Sequence, residues 1–152
     1  MNRDVLLSYL EKKFAGSKLE ASFDFPVLIV DKNEFLEVMR QLKGNNETNF
    51  DFLVCETAVD KLTHFEVIYH LTSSAFHHDL EVKVILEKQE IPELSSVVEI
   101  WKSAELFECE IYDLLGIRFL DHPNLRRIFL GDEWVGFPLR KDYNDNINVV
   151  TL

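Results

Sequence analysis

The chain has 152 residues, 47% of them apolar, and a formal net charge of −11. This size and composition predict one domain with an ordinary hydrophobic core, soluble when isolated. The acidic balance argues against nucleic acid as a partner, because phosphates attract a basic surface. No apolar run approaches the roughly 20 residues of a membrane-spanning helix, so we expect no direct membrane insertion.

A helix and two strands are predicted for the N-terminal part of the chain. Residues 2–15 place apolar side chains on one helical face, and Gly16 can end that helix in the left-handed conformation. Charges spread through this segment are not typical of a signal peptide, so we expect a cytoplasmic location. Residues 19–25 alternate as a half-buried strand does, and the run VLIV at 27–30 predicts a buried strand.

A second helix and a three-stranded meander are predicted next. Asp31 and Glu34 are spaced as in a capping box, which favours a helix over 32–43, and turn residues at 44–49 follow it. Three extended stretches then predict an antiparallel meander. They begin at Phe50, His64 and Leu80, and the middle one alternates so that Phe65, Val67, Tyr69 and Leu71 share one covered face.

The last predicted helix contains an unexpected carboxylate. Pro92 ends the sheet region, and Ser96 with Glu99 forms a second candidate capping box, for a helix closed by Gly116. Glu108 falls in the middle of the apolar stripe of this helix. A buried carboxylate is costly without a partner, so we expect Glu108 to be paired.

The C-terminal segment, residues 117–152, has no clear period. It contains at best a short strand over 127–130, and we expect an irregular tail that lies along a surface. Its basic residues are expected to hold acidic side chains of the last helix. The basic residues are Arg126, Arg127, Arg140 and Lys141, the acidic ones are Glu108, Glu110 and Asp113, and the apolar anchors are Phe119, Leu125, Phe129, Trp134 and Phe137.

Together these elements predict an α+β fold. We expect a two-layer domain with a mixed, mainly antiparallel sheet, helices packed on one face and an irregular C-terminal tail. Within this single domain, residues 1–92 form the α/β scaffold, 93–116 the last helix and 117–152 the docking tail.

Few residues are arranged for chemistry. Cys55 and Cys109 lie far apart without a CxxC pair, which excludes a self-contained four-cysteine site and favours reduced packing residues. The histidines at 77–78 fall in a predicted turn and are expected to be solvated, and we expect no metal site. His122 can donate to Asp121 or to a nearby carboxylate. Because no nucleophile or phosphate-binding motif is present, the residues alone indicate a binding or assembly module.

The segment WKSAELFECEIYDLLGIRFLDHPNLRRIFLGDEWVGFPLRKDY, residues 101–143, strongly resembles the signature of the C subunit of proton-pumping NADH:quinone oxidoreductase, respiratory complex I, also called its 30-kDa subunit. That signature has an E-R-E triplet, an acid followed by two apolar residues, a His-Pro pair, a basic pair and a later P-L-R-K-D. Here Cys109 stands where the family usually has arginine, and Phe129 where it more often has an aliphatic residue. The resemblance implies structural or subunit-docking roles for Glu108, Glu110, Asp113, His122, Pro123, Arg126, Arg127, Pro138, Leu139, Arg140, Lys141 and Asp142.

The resemblance also implies a function. It describes a cofactor-free structural subunit of the peripheral arm that supports the D (49-kDa) subunit near the quinone site, at the cytoplasmic face of the inner membrane. B- and I-type cluster subunits are the further neighbours, and FMN, the iron–sulfur clusters and quinone belong to other parts of that complex. Within the tail, Pro138 is expected to keep the chain extended and Leu139 to anchor it, while Arg140 and Lys141 meet carboxylates on the last helix or on the partner.

Three other functions remain open at this point. One is the equivalent subunit of a related membrane-bound hydrogenase or of a dehydrogenase with another electron donor. Another is a free-standing small-molecule enzyme that uses Glu108 and His122 as acid and base, for which a deep pocket joining the two would be the mark. The third is an interaction domain with an unrelated partner.

Overall fold

The computed structural model describes residues 3–22 and 24–145. Phe23 of the first predicted strand, Asn2 of the first predicted helix and residues 146–152 of the tail lie outside this description. The elements in chain order are α1 (Arg3–Lys13), β1 (Lys18–Ala21), β2 (Pro26–Val30), α2 (Phe35–Gly44), β3 (Phe52–Asp60), β4 (His64–Ser73), β5 (His78–Glu87), β6 (Glu93–Ser95), α3 (Ala104–Leu115) and β7 (Arg118–Leu120).

The main sheet has five strands in the order β1-β2-β5-β4-β3. Strands β3, β4 and β5 form the predicted antiparallel meander, with His64 opposite Glu87 at one end of the β4–β5 pair. Strand β2 joins the meander in parallel with β5 and antiparallel to β1. The sheet is therefore mixed and mainly antiparallel, as predicted, and β2 is an interior strand with mostly buried side chains.

One face of the sheet is covered by the helices. Strand β4 alternates between buried and half-buried side chains along its whole length, and the four predicted inward residues are fully buried. Leu6 and Leu10 of α1 and the inward side of α2 pack into the same core, in which the Phe35 ring lies 5.0 Å from the Tyr69 ring. This packing confirms the two-layer α+β fold.

A second, two-stranded sheet was not predicted. Strands β6 and β7 pair in parallel, so strand structure resumes directly after Pro92. The tail strand predicted over 127–130 is wrong, because the only tail strand among the described residues is β7. Ser96 N–H donates to Leu120 O at 2.9 Å, which ties the chain to β7 where the last helix was expected to begin.

The predicted starts of α2 and α3 are both wrong, and for the same reason. Helix α3 begins at Ala104, and the Ser96 hydroxyl accepts from Val98 N–H within a turn instead of capping a helix. Asp31 likewise accepts from both nitrogens of Asn33 at 2.8 Å, and α2 starts at Phe35 without a side-chain cap. Both polar side chains serve local turns, which compete with helix capping for the same oxygen.

Gly16 and Gly116 were both predicted to end a helix, and the structure confirms only Gly116. Gly116 ends α3 with φ 71° and donates its N–H to Tyr112 O, as predicted. Gly16 does not adopt the left-handed conformation, and α1 has already ended at Lys13. A Cβ on Gly116 would lie 2.5 Å from the Phe137 ring, so the close approach of the tail requires glycine there as well.

A β-bulge in β3 decides which of its side chains point inward. The register with β4 shifts between Leu53 and Cys55, which turns Cys55 outward and places Glu56 on the covered face opposite Tyr69. Both cysteines are free, as expected, but Cys55 is exposed and only Cys109 is buried. None of the helices described is long and apolar enough to cross a membrane.

Candidate functional site

The buried carboxylate Glu108 accepts a backbone hydrogen bond at one oxygen and lies near a histidine at the other. Its Oε1 accepts from Val97 N–H at 2.7 Å, and its Oε2 lies 3.8 Å from His122 Nε2. Burial raises the pKa of Glu108 to about 7, against the opposing effect of hydrogen bonds from Ser96 and Val97. No guanidinium group is among the described contacts of Glu108, so of the three acidic candidates on this helix Glu108 is not the one that an arginine holds.

His122 fixes the start of the tail to α3. Its Nδ1 accepts from Asn124 N–H at 3.0 Å, so the proton of the neutral ring is on Nε2, which donates to Glu105 O at 3.0 Å. The predicted donation to Asp121 does not occur. The Cys109 thiol donates to Asn124 O at 3.6 Å, so the residue that replaces the usual arginine packs beneath the same turn.

Asp113 anchors the middle of the tail. Its Oδ1 lies 2.9 Å from Arg127 Nη1, which confirms the prediction that an arginine pins the tail to this helix. Its Oδ2 accepts from the backbone N–H groups of three consecutive residues, Ile128, Phe129 and Leu130, at 2.7–3.1 Å. Burial alone would raise the pKa of Asp113, but these hydrogen bonds outweigh it and the pKa is lowered.

Arg127 closes the loop that Asp113 begins. Besides the ion pair, its Nη2 donates to Gly136 O at 3.0 Å and to Trp134 O at 3.3 Å. Its guanidinium carbon lies 5.1 Å from the Phe137 ring centre. One arginine therefore holds both ends of the segment 127–136, with a hydrogen-bonding fork that lysine does not possess.

Arg140 caps the last helix instead of meeting a carboxylate. Its Nε donates to Leu115 O at 2.6 Å, and its Nη2 donates to Glu90 O at 2.9 Å and Gly116 O at 3.4 Å. The guanidinium also lies 4.8 Å from the Phe137 ring centre. The prediction of a carboxylate partner on the last helix is wrong, because the negative end of the helix dipole and its free carbonyls attract this cation.

The segment after Phe137 turns instead of running extended. Arg140 N–H donates to Phe137 O at 3.1 Å, so Pro138 occupies the second position of a tight turn, where its fixed φ is favourable. The side chain of Leu139 is 58% exposed, and it is the Leu139 backbone that binds the domain, through Leu114 O at 3.0 Å. The expectations that Pro138 keeps the tail extended and that the Leu139 side chain anchors it are both corrected.

Asp60 is a buried tail partner that the sequence did not point to. It accepts from Lys141 N–H at 3.0 Å and pairs with Lys88 at 2.5 Å, and Lys88 also lies 3.6 Å from Asp142. Hydrogen bonds from these groups lower the pKa of Asp60, although burial opposes the change. It lies in β3 on the same face as Glu56 after the bulge, a position that only the register of β3 with β4 reveals.

His78 also differs from the expectation. It begins β5 as a buried residue, and its Nε2 lies 2.7 Å from Thr48 O, while His77 occupies the turn and is exposed. Burial lowers the pKa of His78, so its ring is neutral near pH 7. Strand β5 thus begins two residues earlier than the predicted start at Leu80.

The signature residues divide into buried contacts and exposed groups. Glu108, Asp113, His122, Arg127 and Arg140 bind the domain itself, as described above. Among the described residues of the tail, the most exposed apolar side chains are Phe129 (65% exposed), Val135 (85%) and Leu139 (58%). The exposed polar or small members of the signature are Glu110, Pro123, Arg126, Lys141 and Asp142.

Comparison with known proteins supports the resemblance seen in the sequence. Residues 28–148 match the family described as "Respiratory-chain NADH dehydrogenase, 30 Kd subunit". The chain is 37% identical over 142 residues to the C subunit of the NADH-quinone oxidoreductase of Moorella thermoacetica, covering 92% of this chain and 94% of that protein. It is 44% identical over 112 residues to the C/D subunit of the NADH-quinone oxidoreductase of Phocaeicola vulgatus, covering 73% of this chain but only 22% of that longer protein.

A solved structure has the same fold. A chain of the membrane-bound sulfane sulfur reductase, an archaeal respiratory membrane complex, superimposes with a TM-score of 0.74. The match covers 93% of this chain and 85% of that chain, at 20% sequence identity.

Proposed function

The chain belongs to the family of the 30-kDa subunit of respiratory-chain NADH dehydrogenase, and on that basis we propose that it is a structural subunit of the peripheral arm of an NADH:quinone oxidoreductase. In this role it supports the D (49-kDa) subunit near the quinone site, at the cytoplasmic face of the inner membrane. The C/D relatives support this partner, because their name joins the C and D subunits in one protein. The proposal places FMN, the iron–sulfur clusters and quinone in other subunits, including B- and I-type neighbours.

One structural observation carries the proposal: the tail presents apolar side chains from a fixed backbone. We define the docking face as Arg126, Phe129, Val135 and Leu139. Phe129 donates its backbone N–H to the buried Asp113 carboxylate, and Leu139 donates its N–H to Leu114 O. Binding through this face requires little further ordering of the chain, which reduces the entropic cost of association.

The composition of the docking face fits a protein partner. Arg126 has a single described contact, a 3.5 Å hydrogen bond to Asn124 O, so its guanidinium is available to a neighbour. Arginine and aromatic side chains are the residue types that contribute most at protein interfaces. Because the whole chain carries a net charge of −11, the exposed Arg126 gives the docking face a positive charge in an otherwise acidic protein.

A free-standing enzyme that uses Glu108 and His122 is disfavoured, because a substrate does not reach the Glu108 carboxyl group. The two groups are within 3.8 Å of each other, but both side chains are completely buried. His122 lines an open groove of about 550 Å³ together with residues such as Tyr112 and Leu125, but Glu108 does not line it. A substrate in that groove does not reach the carboxyl group, so the pair has no access to a reacting bond.

Affinity purification of the tagged chain from its own cells in mild detergent tests the proposal. We expect a D-type subunit, cluster-bearing subunits and NADH:quinone reductase activity to co-elute. Phe129→Asp and Leu139→Asp should remove the co-eluting subunits, whereas the matched control Val5→Asp on α1, where Val5 is 56% exposed, should retain them. Recovery of hydrogenase or sulfur-reductase subunits would assign the chain to a related complex, and a lone protein would contradict the assembly role.

A further inference from the structure

Three ionisable side chains meet inside the domain, beneath α3. The bulge in β3 turns Glu56 inward, directly opposite Tyr69 of β4, and Glu108 of α3 lies close enough for its charge to act on both. Only 3% of Glu56 is exposed, and Tyr69 and Glu108 are fully buried. Two carboxyl groups and a phenol therefore share one dry region between the sheet and the helix.

The cluster lacks partners of opposite charge. Among the described residues, no group outside the cluster hydrogen-bonds to either oxygen of Glu56, to the Tyr69 hydroxyl or to Glu108 Oε2. No lysine or arginine forms a described ion pair with Glu56 or Glu108, and His122 at 3.8 Å is the only basic side chain paired with either.

The groups that face the cluster can be named element by element. In strand β3 the Cys55 thiol is turned outward, beside Glu56, and its pKa is raised by partial burial and by the charges of Glu110 and Glu56. Helix α3 contributes Glu108 itself and the exposed Glu110, strand β4 contributes Tyr69, and the tail contributes His122. The segment before α3 contributes only neutral donors, the Ser96 hydroxyl and Val97 N–H. These neighbours add negative or neutral groups, and they do not compensate two buried anions.

Physical chemistry then decides the protonation of the cluster. Two carboxylates without cations in a low-dielectric interior repel each other, and each is costly to bury. A proton on one of the two carboxyl groups removes one of the two buried charges and with it their mutual repulsion. The Tyr69 hydroxyl can donate to the Glu56 carboxyl group.

We propose that Glu56, Tyr69 and Glu108 form one buried proton-binding site, which holds at least one proton in the folded chain at neutral pH and loses it when α3 separates from the sheet. The pKa shifts of the two carboxyl groups agree with this geometry. Burial and then the charge of Glu108 raise the pKa of Glu56 well above its usual range, and burial raises the pKa of Glu108 to about 7. The site stands apart from the assembly role, because it depends only on contacts within this domain.

The proton has a defined effect on stability. A carboxyl group whose pKa is raised by folding stabilises the folded state most at a pH below its pKa in the unfolded chain. That stabilisation is lost as the pH rises through its pKa in the folded chain. The wild-type chain should therefore lose stability from about pH 4.5 upward through pH 7 and beyond. The folding equilibrium constant should fall up to tenfold per pH unit for each proton bound only in the folded state.

The first test compares three full-length chains by equilibrium unfolding in urea between pH 5 and pH 9. Glu56→Gln has nearly the same shape but cannot ionise, and it should flatten the pH dependence and make the chain more stable than wild type at the alkaline end. Glu87→Gln is the matched control, because Glu87 is an exposed strand glutamate, and it should follow the wild-type curve. If wild type and Glu56→Gln have parallel pH profiles, the proposal is wrong.

A second measurement does not depend on the folding of a variant. In wild-type chain labelled with ¹³C at glutamate side chains, one carboxyl carbon should have the chemical shift of a protonated acid at pH 7, in contrast to the many surface glutamates. Its resonance should move to the carboxylate position only at alkaline pH, together with unfolding or with exchange of the amides of α3. Carboxylate shifts for every glutamate in the folded chain at pH 7 would overturn the proposal.

Discussion

Replacing Asp113 with asparagine should detach the tail from the domain at a large cost in stability. The carboxylate is fully buried, receives one arginine and three backbone N–H groups, and has a lowered pKa. Removing one partner of a buried ion pair costs about 3–5 kcal/mol. With a urea m-value near 2 kcal/mol/M for a domain of this size, the midpoint of unfolding should fall by about 2 M.

Two assays separate the global effect from the local one. Urea unfolding at pH 7 measures the loss of stability, and limited trypsin digestion measures opening of the tail, because Arg126 and Arg127 become accessible cleavage sites once Asp113 no longer holds the loop. Glu110→Gln is the control, since Glu110 lies on the same helix but is exposed. An Asp113→Asn chain within about 0.5 kcal/mol of wild type, the range of ordinary surface changes, with unchanged digestion would refute the reasoning.

The difference in stability between wild type and Asp113→Asn should change with pH in one direction. Because folding lowers the pKa of Asp113, its contribution is present above the unfolded value near 3.8 and is lost as the pH falls through the folded pKa. The gap between wild type and Asp113→Asn should therefore be largest at neutral pH and should narrow in acid. A constant gap down to pH 2 would show that the charge of Asp113 is not responsible.

Three further changes test the other tail contacts. Arg140→Met should destabilise the chain by about 2–3 kcal/mol, because it leaves the last carbonyls of α3 without their charged donor, and Arg140→Lys should recover only part of this in urea unfolding. Gly116→Ala should cost about 2 kcal/mol or more, since φ is 71° and the new Cβ meets the Phe137 ring, and a thermal midpoint equal to wild type would contradict the close packing. Asp60→Asn should destabilise the chain by about 3 kcal/mol at pH 7, because it removes the buried carboxylate that pairs with Lys88, and suppression of this loss in a Lys88→Met background, by double-mutant cycle, would confirm the pair.

The sequence by itself determined the features that depend on neighbouring residues. The alternation of β4 requires one buried face whatever lies against it, because successive strand side chains point to opposite sides. Gly116 ends α3 because glycine adopts the left-handed conformation without strain. The apolar stripe placed Glu108 in the core, and the spacing of the signature from Trp101 to Tyr143 identified the family that the comparisons support.

Only the tertiary structure decided features that depend on contacts distant in sequence. The Ser96–Leu120 hydrogen bond commits the segment before α3 to a second sheet, against a locally plausible helix start. A one-residue bulge turned Glu56 and Asp60 inward, which alternation read from the sequence cannot locate. Arg140 binds helix carbonyls instead of carboxylates because the path of the tail brings it to the end of α3. A long basic side chain reaches many acceptors, and the fold selects among them.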